Sequence, residues 1–183
     1  MEGLTIYIWR ENEMYIEDKY WNNYIGDTDD SLTLVEYLAD KQKKEISLGE
    51  LFCDIGLDKL NGDFREHEEP LTVVLKNMES DYEEPYMEFY YAIDIITDLA
   101  ALMLVCKIYG SVNLQELVGG DLETPEPDVC IVATPEEHEL INKTIKDFVS
   151  DPLAYDLSEM CPEEDMLEMA EICERLRKEL YGE

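Results

Sequence analysis

Asp27, Asp29 and Asp30, in "GDTDDS" (residues 26–31), place three carboxylates within four positions, a pattern that suits a hard cation. A calcium loop of the EF-hand type needs glycine at its sixth position and glutamate at its twelfth. Counted from Asp27, those positions hold Leu32 and Leu38, so that motif is excluded. A magnesium site completed by distant carboxylates stays open, because such sites need only one or two protein carboxylates. Asp94 and Asp98 form a second candidate, four residues apart beside the most apolar part of the chain. On a helix they share a face, and burial of one would suit it to acid–base work. The favoured reading is plainer: they mark the solvent edge of that helix.

Other reactive residue types are sparse. His67 lies in acidic "REHEEP" (residues 65–70), and His138 sits in the first turns of a capped helix, where it reads as a solvated surface residue. No GxSxG, P-loop, GxGxxG or HExxH pattern occurs, so the chain carries no signature of a nucleophile elbow, nucleotide cradle or zinc protease. Five cysteines give an odd count without a CxxC pair. All but Cys161 have apolar near neighbours and read as reduced core residues, not as a disulfide framework or zinc site. No catalytic residue, metal or cofactor is expected from these patterns.

The elements that must position these groups read as α+β. "LTIYIW" (residues 4–9) suits a strand, and "LTVVLKN" (residues 71–77) and "VCIVAT" (residues 129–134) suit two more. Leu32, Leu34, Val35, Leu38 and Ala39 keep helical spacing after the aspartates, with Asp30 or Ser31 as the N-cap. "SLGE" (residues 47–50) fits a capping box opening a short helix that stops near Gly56. Residues 86–110 are ambiguous at first, because their aromatic and β-branched start would suit a strand leading into a helix. Phe89, Ile93, Ile96, Ala100 and Met103 instead predict one long buried helix ending at Gly110. "TPEE" (residues 134–137) opens another helix with cap, proline and glutamate in order, and "CPEE" (residues 161–164) repeats the pattern with a weaker cap. Met166, Met169, Ala170, Cys173, Leu176 and Leu180 predict the buried stripe of the last helix. Strands and helices mix without regular βαβ units, so the expected architecture is a single domain over residues 1–183, with a small mixed or antiparallel sheet packed by several helices.

Charge narrows the function. The 183 residues carry 45 acidic against 14 basic side chains, a net of -31, with 45% hydrophobic residues to build a core. The acids run from Glu2 to Glu183, so the surface field repels phosphate backbones and anionic lipids and attracts basic partners. The basic cluster "KQKK" (residues 41–44) runs into Glu45, and basic clusters are nearly absent from the chain, which argues against direct nucleic-acid binding. The start "MEGLTIYIWRENEM" lacks a basic n-region and a long apolar core, and "LAALMLVC" (residues 99–106) is far too short to span a bilayer. A cytoplasmic protein without membrane partners is expected. Simple solubility, or an acid-rich proteome, would give the same charge.

Turn chemistry and helix capping use Gly26 and part of the aspartate cluster. The remaining acid, beside Trp21 and Tyr24, makes Trp21, Tyr24, Asp27, Asp29 and Asp30 the candidate partner-binding set, since tryptophan and tyrosine are enriched in interface hot spots. Trp21 suits the core equally well. Tyr82, Tyr86, Tyr90 and Tyr91 among Glu83, Glu84 and Glu88 make a second acidic, aromatic stretch, again with a core alternative.

With "GDTDDS", "DYEEPYMEFYY" and "ATPEEHELI" in one acidic chain lacking catalytic motifs, the sequence resembles a bacterial immunity protein of a polymorphic-toxin or contact-dependent inhibition system. That resemblance is one of profile over the whole chain and assigns no residue. It implies a non-enzymatic inhibitor that binds one cognate toxin domain stoichiometrically, often over its active site. A nuclease, with a basic substrate cleft, would match the charge. Two alternatives are a metal-assisted hydrolase using Asp27, Asp29 and Asp30, and a nucleic-acid mimic that blocks a defence nuclease.

Overall fold

The most apolar stretch of the chain becomes its axis. The computed structural model describes residues 19–77, 85–120 and 122–182. In chain order, helix α1 spans Asp29–Asp40, strand β1 Glu45–Ser47, helix α2 Leu48–Ile55, strand β2 Leu71–Val74 and strand β3 Tyr86–Phe89. Helix α3 spans Ala92–Tyr109, strand β4 Val112–Asn113, the single turn α4 Leu114–Leu117, strand β5 Asp128–Val132, helix α5 Pro135–Ser150 and helix α6 Glu163–Tyr181. Short 3-10 turns cover Leu57–Leu60, Pro152–Ala154 and Asp156–Glu159. The class is α+β, as expected.

Every residue of α3 from Ala92 to Cys106 is buried, the state of a helix without a polar face. It packs on α6, α1, α5 and β5. Gly110 ends it in the left-handed region, at φ 88°, with its N–H on the Cys106 carbonyl. The sheet order is β1-β5-β4, with β1 parallel and β4 antiparallel to β5. β2 and β3 form a separate antiparallel pair, Leu71 opposite Phe89 and Val74 opposite Tyr86. That pair rests on α1 and α2.

Local signals place the later helices well. Thr134 caps α5, its hydroxyl accepting from Glu137 N–H at 3.2 Å while the Glu137 carboxylate accepts from Thr134 N–H at 2.8 Å. Pro135 sits at the first helical position. Met166, Met169, Ala170, Cys173, Leu176 and Leu180 are the buried stripe of α6. Arg177 is buried beside them, its guanidinium donating to both Glu174 oxygens and to Asn142 Oδ1, which ties α6 to α5.

Five local expectations are corrected. Thr28, not Asp30 or Ser31, caps α1: its hydroxyl accepts from Ser31 N–H at 3.1 Å, and Ser31 Oγ accepts from Thr28 N–H at 3.4 Å. Leu32 faces outward, off the buried arc of α1. Ser47 caps α2 through Glu50 N–H, but the Glu50 carboxylate turns to Lys41 and Lys43, so only half of the box forms. Residues 86–110 are strand, then helix, not one helix. At "CPEE" the cap position is Pro162, without a side-chain bond. The strand expected at residues 4–9 lies outside the described residues.

Candidate functional site

Residues 19–31 form a knot held on three sides. Trp21 is buried, and its Nε1–H donates to the Leu117 carbonyl at 3.4 Å. Asn22 and Tyr24 adopt positive φ, 67° and 65°, which tightens the chain enough for bridges from Trp21 and Asn23 to Ile25. Gly26 follows at φ 74°, its backbone flat against the indole: a Cβ there would lie 2.2 Å from Trp21 Cδ2. Only glycine meets both demands. Lys19 Nζ and Tyr20 Oη donate to Glu179 on α6 at 2.7 and 2.5 Å. Tyr24 Oη lies 3.1 Å from both Asp165 Oδ1 and Glu168 Oε2 on the same helix.

The third anchor is a set of buried carboxyls on the central helix. Asp94 and Asp98 are 3% and 1% exposed, which corrects their expected place at the solvent edge. Asp98 Oδ1 accepts the Gly26 N–H at 2.8 Å, while Oδ2 is buried without a hydrogen-bond partner. Burial pushes the Asp98 carboxyl up to about 7, against the pull of the Ser31 hydroxyl and the Gly26 N–H. Asp94 is pushed up to about 8, by burial first and then by the charges of Asp98, Asp30 and Asp156. Asp30 joins them from α1, its carboxylate accepting from Tyr90 N–H at 2.9 Å and Tyr91 N–H at 2.8 Å. Its carboxyl is also raised by burial, although those two N–H groups hold it down.

These acids have the shifted ionisation of a catalytic centre without its access. A proton donor must reach a substrate atom, and both α3 acids lie under the 19–31 knot. What the geometry shows directly is a structural role: Asp98 fastens the loop to α3 through the Gly26 N–H.

The five candidate contact residues therefore separate. Asp27 and Asp29 are exposed and Tyr24 is half-buried. Trp21 and Asp30 are buried and brace the loop from within. Because Asp30 turns to Tyr90 and Tyr91, the three aspartates do not converge on one point. Among the described residues no group of three or more His, Cys, Asp or Glu side chains is placed to hold a metal ion.

Elsewhere, a cleft of about 540 Å³ is lined by Met103, Cys106, Ile131, His138 and Tyr181 among others. His138, expected as a solvated surface residue, is half-buried at this cleft. Its ring packs edge-on to Tyr181 at 5.9 Å, and its Nδ1 and the Tyr181 hydroxyl are buried without hydrogen-bond partners. The cysteines are free thiols. Cys106 Sγ accepts from Ile131 N–H at 3.4 Å and donates to the Val129 carbonyl at 3.7 Å, and burial pushes its thiol up to about 12, the opposite of a reactive cysteine. Cys53 is exposed, contrary to a core position. Among the described residues no helix is long and apolar enough to cross a membrane.

Sequence reasoning missed the buried acid set, because its partner Gly26 lies 72 residues from Asp98. Comparison with known proteins places these features in context. A family model described as Immunity protein 68 matches residues 15–180. No curated protein and no solved structure matches the chain.

Proposed function

The chain belongs to the Immunity protein 68 family, and from that premise we propose that it neutralises a cognate, basic toxin domain, a nuclease, by stoichiometric occlusion. Family membership supports a toxin-neutralising role. The observation that carries the finer reading is the net charge of -31, which complements the cationic cleft a nuclease uses to hold phosphates. Local pairing strengthens the contrast: Lys19, Lys41, Lys43, Arg65, Lys143, Arg177 and Lys178 each lie within 4 Å of a carboxylate.

Within this reading Asp27, Asp29 and Tyr24 remain contact residues, presented by a loop that Trp21, Gly26, Asp30 and Asp98 make rigid. A rigid loop loses little entropy on binding. Occlusion requires no chemistry from the inhibitor, which fits acids that are buried instead of presented.

This reading predicts a cognate toxin domain encoded beside this gene, and that domain is the partner to test. Association followed by stopped flow should slow steeply between 0.05 and 0.5 M salt, by about tenfold or more, because screening removes the steering field. A rate independent of salt would sink the electrostatic part of this reading.

A further inference from the structure

Among the described residues, the β2–β3 pair carries one face that no other element covers. Strand alternation sends Leu71, Val73 and Phe89 inward and leaves Thr72, Val74, Tyr86 and Glu88 exposed on the other face. Register places these four as two cross-strand pairs, Thr72 opposite Glu88 and Val74 opposite Tyr86. Tyr86 is 64% exposed, and Tyr90, just after β3, is 58% exposed. Other tyrosines behave differently: Tyr20, Tyr24 and Tyr37 put their hydroxyls on carboxylates of the chain itself.

The surroundings of this face are acidic. Glu66, Glu68 and Glu69 are exposed on the segment entering β2. His67 pins that segment beside Tyr90, its Nδ1 2.9 Å from the Glu69 carbonyl and its Nε2 3.1 Å from the Tyr90 carbonyl. Thr72 also borders a cleft of about 450 Å³ whose walls include Asp54, Glu68 and Glu69, with Lys59 as a cation among them. Asp30 fixes the exit of β3 from below through Tyr90 and Tyr91 N–H, so the tyrosines are displayed from a held backbone.

Resting on the toxin-neutralising reading above, we infer that this outer face, with Tyr86, Tyr90, Val74 and Glu88 at its centre, is the principal docking surface for an arginine- and lysine-bearing face of the toxin. Aromatic rings and carboxylates side by side suit guanidinium groups. A ring face attracts the cation, and a carboxylate takes two N–H donors from its planar fork. Val74 supplies apolar contact between them. Rigid tyrosines lose little side-chain freedom on binding, the property that makes them hot spots.

The test measures affinity for the toxin domain encoded beside this gene by calorimetry, using the full chain. The variants are Tyr86→Ala with Tyr90→Ala, Glu88→Lys, Val74→Arg and, for comparison, Asp27→Asn with Asp29→Asn. These side chains are exposed, so unchanged circular dichroism and melting are expected; Val74→Arg serves if the tyrosine pair disturbs folding. The inference predicts that each hairpin variant weakens binding at least about tenfold, while the Asp27/Asp29 pair costs less. Binding within about twofold of wild type for all the hairpin variants overturns it and leaves the toxin-neutralising reading standing. Failure of the unaltered chain to bind that toxin overturns the reading itself, and this inference with it. Self-association through the hairpin, lost in Val74→Arg while toxin affinity is kept, also overturns it, by assigning the face to a second copy.

Discussion

Gly26 donates its backbone N–H to Asp98 Oδ1 across 2.8 Å, fastening the loop at the start of α1 to the middle of α3. One side of that glycine meets a buried carboxyl and the other meets the Trp21 indole. The loop carrying the exposed Asp27 and Asp29 is therefore packed on both sides at Gly26.

Gly26→Ala should destabilise the protein by about 2–4 kcal/mol, combining overpacking against a buried ring with a positive φ that alanine resists. The added methyl has nowhere to go, because Trp21 is itself buried. Chemical denaturation measures the loss. A change below about 0.5 kcal/mol would mean that the indole yields and the loop is looser than described.

Asp94 sets a pH dependence of definite sign. Its carboxyl stands near 8 in the folded chain against 3.8 when unconstrained, so the folded state binds the proton more tightly. The stability this contributes is fully present below pH 3.8 and is lost as pH rises through about 8. Within that window the slope approaches about -1.4 kcal/mol per pH unit for such a group. Asp94→Asn, which mimics the protonated acid, should flatten the fall in stability between pH 5 and 8 and melt above wild type at pH 8. Parallel profiles for the two proteins would contradict a protonated Asp94.

Thr134→Ala removes the hydroxyl that accepts Glu137 N–H at the start of α5 and should cost about 1 kcal/mol. Thr134→Ser, which keeps the oxygen, should recover most of it. Equal losses in both variants would point to packing instead of capping, and thermal melts distinguish the two.

These residues also show what the sequence made legible. Thr134, Pro135 and Glu137 declare a helix start within four positions, because capping is a local transaction between neighbours. The α6 stripe is legible for a similar reason: periodicity alone fixes which face is buried. Asp94 and Asp98 follow the opposite logic. Carboxylates normally mark solvent, and only a distant N–H and a covering loop explain their burial. The break between β3 and α3 is equally non-local, since the Asp30 carboxylate engages Tyr90 and Tyr91 N–H where periodicity favoured a continuous helix. For the contact set, composition identified an acidic, aromatic loop but not which way each side chain turned. Trp21 and Asp30 went inward, and Asp27 and Asp29 outward.

Stoichiometric neutralisation is tested most directly by titrating the purified chain into a fixed concentration of the toxin domain encoded beside its gene and following the remaining toxin activity. Activity should fall linearly and vanish at one equivalent, with the toxin recovered intact after dissociation at high salt. Loss of activity at well below one equivalent, or toxin left chemically altered, would contradict occlusion and indicate turnover; activity that persists at excess inhibitor would contradict neutralisation itself.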